Sequence, residues 1–208
     1  MLINKNLKHI HIHVPKTGGG SLTKMLPGYT TLNGSHSSLN ALKHHPEILK
    51  SIGSYYVTTC IRNPWEHAVS AYINEASTKS IIQFKGNPFH YTNFSDIPLD
   101  EKLKLDLSFK RFLKTGFKIY IQDNYIAETT AKINEWFDFL NYKQMLNSLE
   151  SRFNFKLNNI YREHDKRSRT TIINIDIHKP YQNFYDEEDY EYVKNTSPKT
   201  IKVFDYKF

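Results

Sequence analysis

The 208-residue chain holds one cysteine, Cys60, so it can form neither an internal disulfide nor a cysteine-based zinc cluster. Glycine and proline are scarce, at eight residues each, and no Gly/Ser linker, internal repeat or domain boundary is visible. That pattern predicts a single domain over residues 1–208, long enough to bury a core. No apolar run approaches the ~20 residues needed to cross a bilayer. The opening MLINKNLKHIHIHV places histidines through its apolar stretch and lacks a small-residue cleavage site, so it does not read as a signal peptide. These absences predict a reducing, cytoplasmic location with no stable membrane insertion. No DNA- or RNA-binding signature is present, and nothing in the sequence sets an oligomeric state.

What is there is apolar and basic. Hydrophobic residues make up 39% of the chain and aromatics 14%, which excludes a disordered chain. The net charge is +7 with a pI near 9.2, which favours an anionic partner without choosing among nucleotides, acidic glycans, nucleic acid and anionic membranes.

Residues 7–14 alternate Leu/Ile/Val with Lys/His, the period of a strand. His9, His11 and His13 then share one face, and Ile10, Ile12 and Val14 the other. Alternate residues on one extended strand stand ~7 Å apart, too splayed for a single ion to collect all three imidazoles, so no metal site is expected. Pro15-Lys16-Thr17-Gly18-Gly19-Gly20-Ser21-Leu22 follows as a turn-rich segment and runs into a short helix ending near Pro27-Gly28. A second apolar strand covers Tyr55–Ile61, Asn63-Pro64 breaks it, and a helix runs from Trp65 to about Thr78. Residues 80–100 carry three Gly/Pro breakers and read as irregular. Helices resume over 103–113 and 143–153, with a short strand near 137–140 before the second. The tail 186–205 opens on acidic residues suited to a helix N-terminus, and Pro198 splits it into two helices. Alternating strands and helices predict an α/β fold with a mainly parallel sheet.

Two segments carry chemistry. Glycines in Lys16–Leu22 let backbone N–H groups converge on an oxyanion, with Lys16 at the mouth. The lysine precedes the glycines, so the loop is not the nucleotide-triphosphate loop of kinases and ATPases. By itself, a glycine-rich turn with a solvated lysine fits the same residues. In Arg62-Asn63-Pro64-Trp65-Glu66-His67-Ala68-Val69-Ser70, Arg62 stands at the end of a strand, where open α/β sheets bind ligands, and Ser70 lies about two turns into the next helix. A guanidinium grips phosphate through two parallel hydrogen bonds and a hydroxyl adds another donor, although a capped arginine and a solvent-facing serine fit equally well.

Together the two segments resemble the signatures of sulfotransferases that use 3′-phosphoadenosine 5′-phosphosulfate (PAPS), in the carbohydrate branch that includes uronyl 2-O-sulfotransferases and bacterial relatives. Those signatures typically read PKTGGTS or PKTGSTS and RNPxxRxxSxY. The tail FYDEEDYEYVKNTSPKTIKVFDYKF is similar to that family's closing pattern. The resemblance implies a P-loop-like three-layer fold with helices flanking the sheet. It assigns Lys16, Thr17, Gly18, Gly19, Gly20, Ser21 and Leu22 to the 5′-phosphosulfate, and Arg62 and Ser70 to the 3′-phosphate. It further implies transfer of a sulfuryl group to an acceptor hydroxyl, on a carbohydrate or another acceptor, leaving adenosine 3′,5′-bisphosphate without a metal.

By analogy with phosphoryl transfer, Lys16 stabilises the leaving oxygen, helped by the Gly18–Ser21 amides, and a histidine takes the acceptor proton. His36, in the polar loop Gly34-Ser35-His36-Ser37, is favoured for that role and His13 is its rival. The basic run around Arg167, Ser168 and Arg169 reads as a loop closing over the nucleotide or as a solvated loop. Three positions depart from the pattern: Gly20 where threonine is common, His67 where arginine is usual, and Asn141 near a position where relatives often have glutamate. Two other readings stay open, a kinase-like phosphoryl transferase and a non-catalytic polyanion-binding module. The acceptor region, 80–116, offers Phe84, Phe89, Tyr91 and Phe94 for sugar stacking or for core packing.

Overall fold

The histidine-rich strand settles at the centre of a sheet. In the computed structural model, which describes residues 1–32, 38–77, 108–126, 133–157, 176 and 179–208, His9–Ile12 forms β2. Residues 5–8 turn back instead of extending the strand, with Lys8 at φ 51° and the Leu7 amide donating to Asn4 Oδ1 at 3.0 Å. The turn joins β2 to an antiparallel partner, β1 (Leu2–Asn4), that strand-period reasoning did not foresee. The other strands are β3 (Thr30–Thr31), β4 (Tyr56–Ile61) and β5 (Glu135–Asp138). Their order is β3-β1-β2-β4-β5. β2, β4 and β5 run parallel, while β1 pairs antiparallel with both β2 and β3. The sheet is therefore mixed, which corrects the expectation of a mainly parallel one.

The described helices are α1 (Gly19–Met25), α2 (Pro46–Lys50), α3 (Pro64–Ser77), α4 (Phe109–Thr115), α5 (Asp123–Ile126), α6 (Tyr142–Phe153), α7 (Glu187–Thr196) and α8 (Pro198–Phe204). The protein is α/β, with α1 and α6 on one face of the sheet and α2 on the other. The chain divides into two compact units, Met1–Arg62 with Gln122–Glu163, and Asn63–Ile121 with His164–Phe208.

The first unit contains the sheet. Because strand side chains alternate between faces, Leu2, Cys60 and Phe137 pack with Leu22, Met25 and Leu26 around α1 and with Met145, Leu146 and Leu149 on α6. Ile3, Ile10, Ile12 and Val57 face the other way, onto Leu42 and onto Ile48 of α2. The three histidines lie on the α1/α6 face and are all buried. Burial obliges each polar group to find a partner. The Thr58 hydroxyl lies 2.9 Å from both His9 Nε2 and His11 Nδ1. It has one proton, so it donates to one ring and accepts from the other. Tyr29 Oη meets His9 Nδ1. Burial, with Arg152 adding to it, pushes the His9 pKa down to about 3. Burial and the neighbouring histidines hold His11 well below the ordinary range. Both rings are neutral at pH 7.

The second unit is helical and aromatic. Asn63 caps α3, its Oδ1 accepting from the Trp65 and Glu66 amides at 3.1 and 3.3 Å, while Pro64 takes the first helical position, where no amide is needed. The Trp65 ring stacks on Tyr190 at 5.4 Å, and Tyr185 donates to the Trp65 carbonyl at 2.7 Å. In the tail, Asp186 caps α7 by accepting from the Asp189 amide at 2.9 Å, and Pro198 opens α8, as the sequence predicts. Helix α4 starts from Ser108, whose Oγ accepts from the Arg111 amide. The expected helix over 103–113 is thus met from 109 onward, and its earlier residues lie outside the described ones. Among the described residues no helix is long and apolar enough to cross a membrane.

Candidate functional site: a glycine loop and a strand-end arginine

Both motif segments leave the sheet at the carboxyl ends of neighbouring parallel strands. Ile12 pairs with Thr59, so Pro15 and Arg62 each stand three residues beyond the same rung. Open α/β sheets bind ligands at that end of their parallel strands.

The loop is shaped by its own bonds. Lys16 adopts φ 64°, a left-handed backbone that costs a lysine about 1–2 kcal/mol, and Gly18 adopts φ 81°. The Thr17 hydroxyl turns inward and donates to the Val14 carbonyl at 2.8 Å, and the residue is buried. Leu22 is buried in the core. Thr17 and Leu22 therefore hold the loop's form with their side chains. The Gly18 carbonyl accepts from the Ser21 amide at 3.0 Å, the Leu22 amide at 3.1 Å and the Tyr142 hydroxyl at 3.0 Å. This commits the Ser21 amide to the loop itself, leaving Gly19 and Gly20 as the amides for which α1 has no acceptor. Left-handed Gly18 followed by helical Gly19 is the backbone alternation that makes an anion-binding nest. Lys16 and Ser21 are half-buried.

Each glycine is present for a different reason. A Cβ on Gly18 would stand 2.6 Å from Tyr142 Cε2. A Cβ on Gly19 would overlap the His13 ring, which is buried beneath the loop. A Cβ on Gly20 would meet nothing within 4 Å, and the residue is exposed. The space for a hydroxyl-bearing side chain at position 20 is there although the side chain is not.

Arg62 is held at both its backbone and its side chain. Gln122, 1% exposed, accepts from the Arg62 amide at 2.9 Å and donates to the Arg62 carbonyl at 2.7 Å, standing in for the strand that β5 no longer provides beyond Asp138. The Arg62 guanidinium lies over the Phe139 ring, 4.8 Å from its centroid, and the residue is 3% exposed. Nearby Cys60 is buried, and burial with the Asp138 charge pushes its thiol pKa up. It stays protonated and offers no nucleophile.

In the second unit, Ser70 is half-buried on α3, and His67 is fully buried with its ring near Phe117. Asn141 ends a 3-10 turn, Phe139–Asn141, that leads into α6. His36, Arg167, Ser168 and Arg169 lie outside the described residues, as do Phe84, Phe89, Tyr91 and Phe94. Three residues that the motifs did not point to join the site: Phe139, Tyr142 and Gln122. Among the described residues no group of three His, Cys, Asp or Glu side chains is arranged to hold a metal ion.

Comparison with known proteins gave no match to any family model, curated protein or solved structure. The site's chemistry rests on its residues. The glycine loop with its two nest amides and Lys16, and Arg62 with its guanidinium, belong to segments that leave one end of two neighbouring strands, and donors of these kinds suit an anion.

Proposed function

We propose that this protein is a PAPS-dependent sulfotransferase acting on an acceptor hydroxyl, with a carbohydrate as the acceptor class. The observation that supports this most is the common origin of the two motif segments. The lysine-bearing glycine loop and Arg62 start from adjacent parallel strands, three residues past one rung. A nucleotide carrying phosphate at both its 5′ and 3′ positions needs two separated cationic grips of this kind. The room beside Gly20 supports the same reading, because relatives place a threonine there and this fold could hold one.

In the proposed reaction a bond forms between the acceptor oxygen and sulfur while the bond from sulfur to the 5′-phosphate oxygen breaks. Lys16 and the Gly19 and Gly20 amides stabilise the negative charge that grows on the departing oxygen. Arg62 holds the 3′-phosphate, with Ser70 as its partner in the resemblance. The acceptor proton passes to a base, for which His36 is the proposed residue. His13 is less suited, since its ring is enclosed beneath Gly19.

The test is a calorimetric panel of adenosine 3′,5′-bisphosphate, AMP and ATP with magnesium. The proposal predicts that the bisphosphate binds at least about tenfold more tightly than AMP and needs no metal. Binding that follows ATP–magnesium and ignores the bisphosphate overturns it in favour of phosphoryl transfer.

A further inference from the structure

Phe139 touches both of the proposed phosphate grips and Tyr142 touches the glycine loop, and all four parts belong to the first unit. Tyr142 is the first residue of α6, and its hydroxyl donates to the Gly18 carbonyl at 3.0 Å. Its ring and that of Phe139 lie against the Gly18 Cα, where a methyl group would stand 2.6 Å from Tyr142 Cε2 and 3.2 Å from Phe139 Cε2. Phe139 also carries the Arg62 guanidinium, 4.8 Å from its ring centroid. The rings are tilted by 59° at 5.9 Å, and Phe139 is anchored by a turn in which the Leu140 amide donates to Asp138 Oδ1 at 2.9 Å.

A peptide unit is planar and trans, so its carbonyl and the following N–H point in opposite directions. Three donors hold the Gly18 carbonyl toward α1 and Tyr142. The Gly19 N–H in the same plane is thereby aimed out of the helix, toward the loop's mouth. Packing alone would be met by any apolar ring at position 142. The hydroxyl adds a constraint on the direction of one amide.

We infer that Tyr142 and Phe139 are positioning residues for nucleotide binding: Tyr142 aims the Gly19 amide at the 5′ group, and Phe139 sets the glycine loop against Arg62. This rests on the sulfotransferase reading and deepens it. Tyr142 touches the loop and Phe139 both the loop and the arginine, and they act on the ligand through those groups.

The experiment measures binding of adenosine 3′,5′-bisphosphate, adenosine 5′-phosphosulfate and adenosine 3′-monophosphate to wild type, Tyr142→Phe, Phe139→Leu and Phe139→Trp, alongside ligand-free thermal unfolding. Tyr142→Phe keeps the ring and should weaken the two 5′-substituted ligands about tenfold while leaving 3′-monophosphate unchanged, as loss of one aimed hydrogen bond implies. Phe139→Leu should weaken all three, and Phe139→Trp, which keeps a ring face for Arg62, should restore the 3′-monophosphate. Equal weakening of every ligand by Tyr142→Phe, or none, overturns the inference while wild-type bisphosphate binding leaves the functional reading standing. A wild type that binds no bisphosphate overturns both. Should Phe139→Leu not fold, Tyr142→Phe and Phe139→Trp decide the matter.

Discussion

Replacing Gly19 with alanine should destabilise the first unit through one identifiable collision. A methyl at this position overlaps Cδ2, Nε2 and Cγ of His13, one whole edge of the imidazole from its base to its far nitrogen. His13 is 3% exposed and continues from the central strand β2, so its ring can move only by displacing the core face or the loop. Overpacking of this kind costs about 1–3 kcal/mol, and a whole-ring displacement lies at the upper end, about 3 kcal/mol. Urea unfolding of wild type, Gly19→Ala, His13→Ala and the double variant measures it. His13→Ala empties the space the methyl needs, so the double variant should be more stable than the sum of the single losses predicts, by about 2 kcal/mol. Gly19→Ala within about 0.5 kcal/mol of wild type, or strict additivity in the double variant, refutes the packing argument.

The same structure makes further predictions. Gly20→Thr should leave the urea midpoint unchanged, since its Cβ enters open space, and should tighten adenosine 3′,5′-bisphosphate binding several-fold in calorimetry by adding a hydroxyl donor. Gln122→Ala should lower stability by about 2–4 kcal/mol in urea unfolding, because it strips partners from the buried Arg62 amide and carbonyl together. Stability should also fall in acid. His9 is neutral in the folded state down to about pH 3, whereas the unfolded chain takes up its proton near 6.5. The contribution is therefore complete above pH 6.5 and is lost as pH falls toward 3, reaching roughly 2 kcal/mol at pH 5 from His9 alone. Urea midpoints at pH 7.5 and pH 5 should differ accordingly, and His9→Gln should flatten the slope.

Much of the fold was legible because it is written in local signals. The β4 strand, α3 with its Asn63-Pro64 start, α6 and the split at Pro198 fall within a residue or two of expectation. Strand direction is not a local signal. The hairpin joining β1 to β2 depends on a left-handed backbone at Lys8 that no alternation of hydrophobicity encodes, and so the sheet came out mixed. The histidine face of β2 is buried under α1 and α6, and His9 and His11 are bonded there by Tyr29 and Thr58, the first 20 residues from His9 and the second 47 from His11. In the candidate site, Lys16 and Arg62 stood out through motif chemistry. Tyr142 and Gln122 reach the site from 124 and 60 residues away and carry no local mark. They became visible only through the bonds they make to Gly18 and Arg62.

Sulfuryl transfer at Lys16 is tested by offering the protein sulfur-labelled PAPS with a panel of glycans, in the wild type and in Lys16→Ala. The prediction is metal-independent transfer of label to a hydroxyl acceptor by the wild type and loss of at least about 10²-fold of that rate in Lys16→Ala. A Lys16→Ala protein that transfers label at the wild-type rate would contradict the claim, as would a wild type that transfers none to any hydroxyl acceptor.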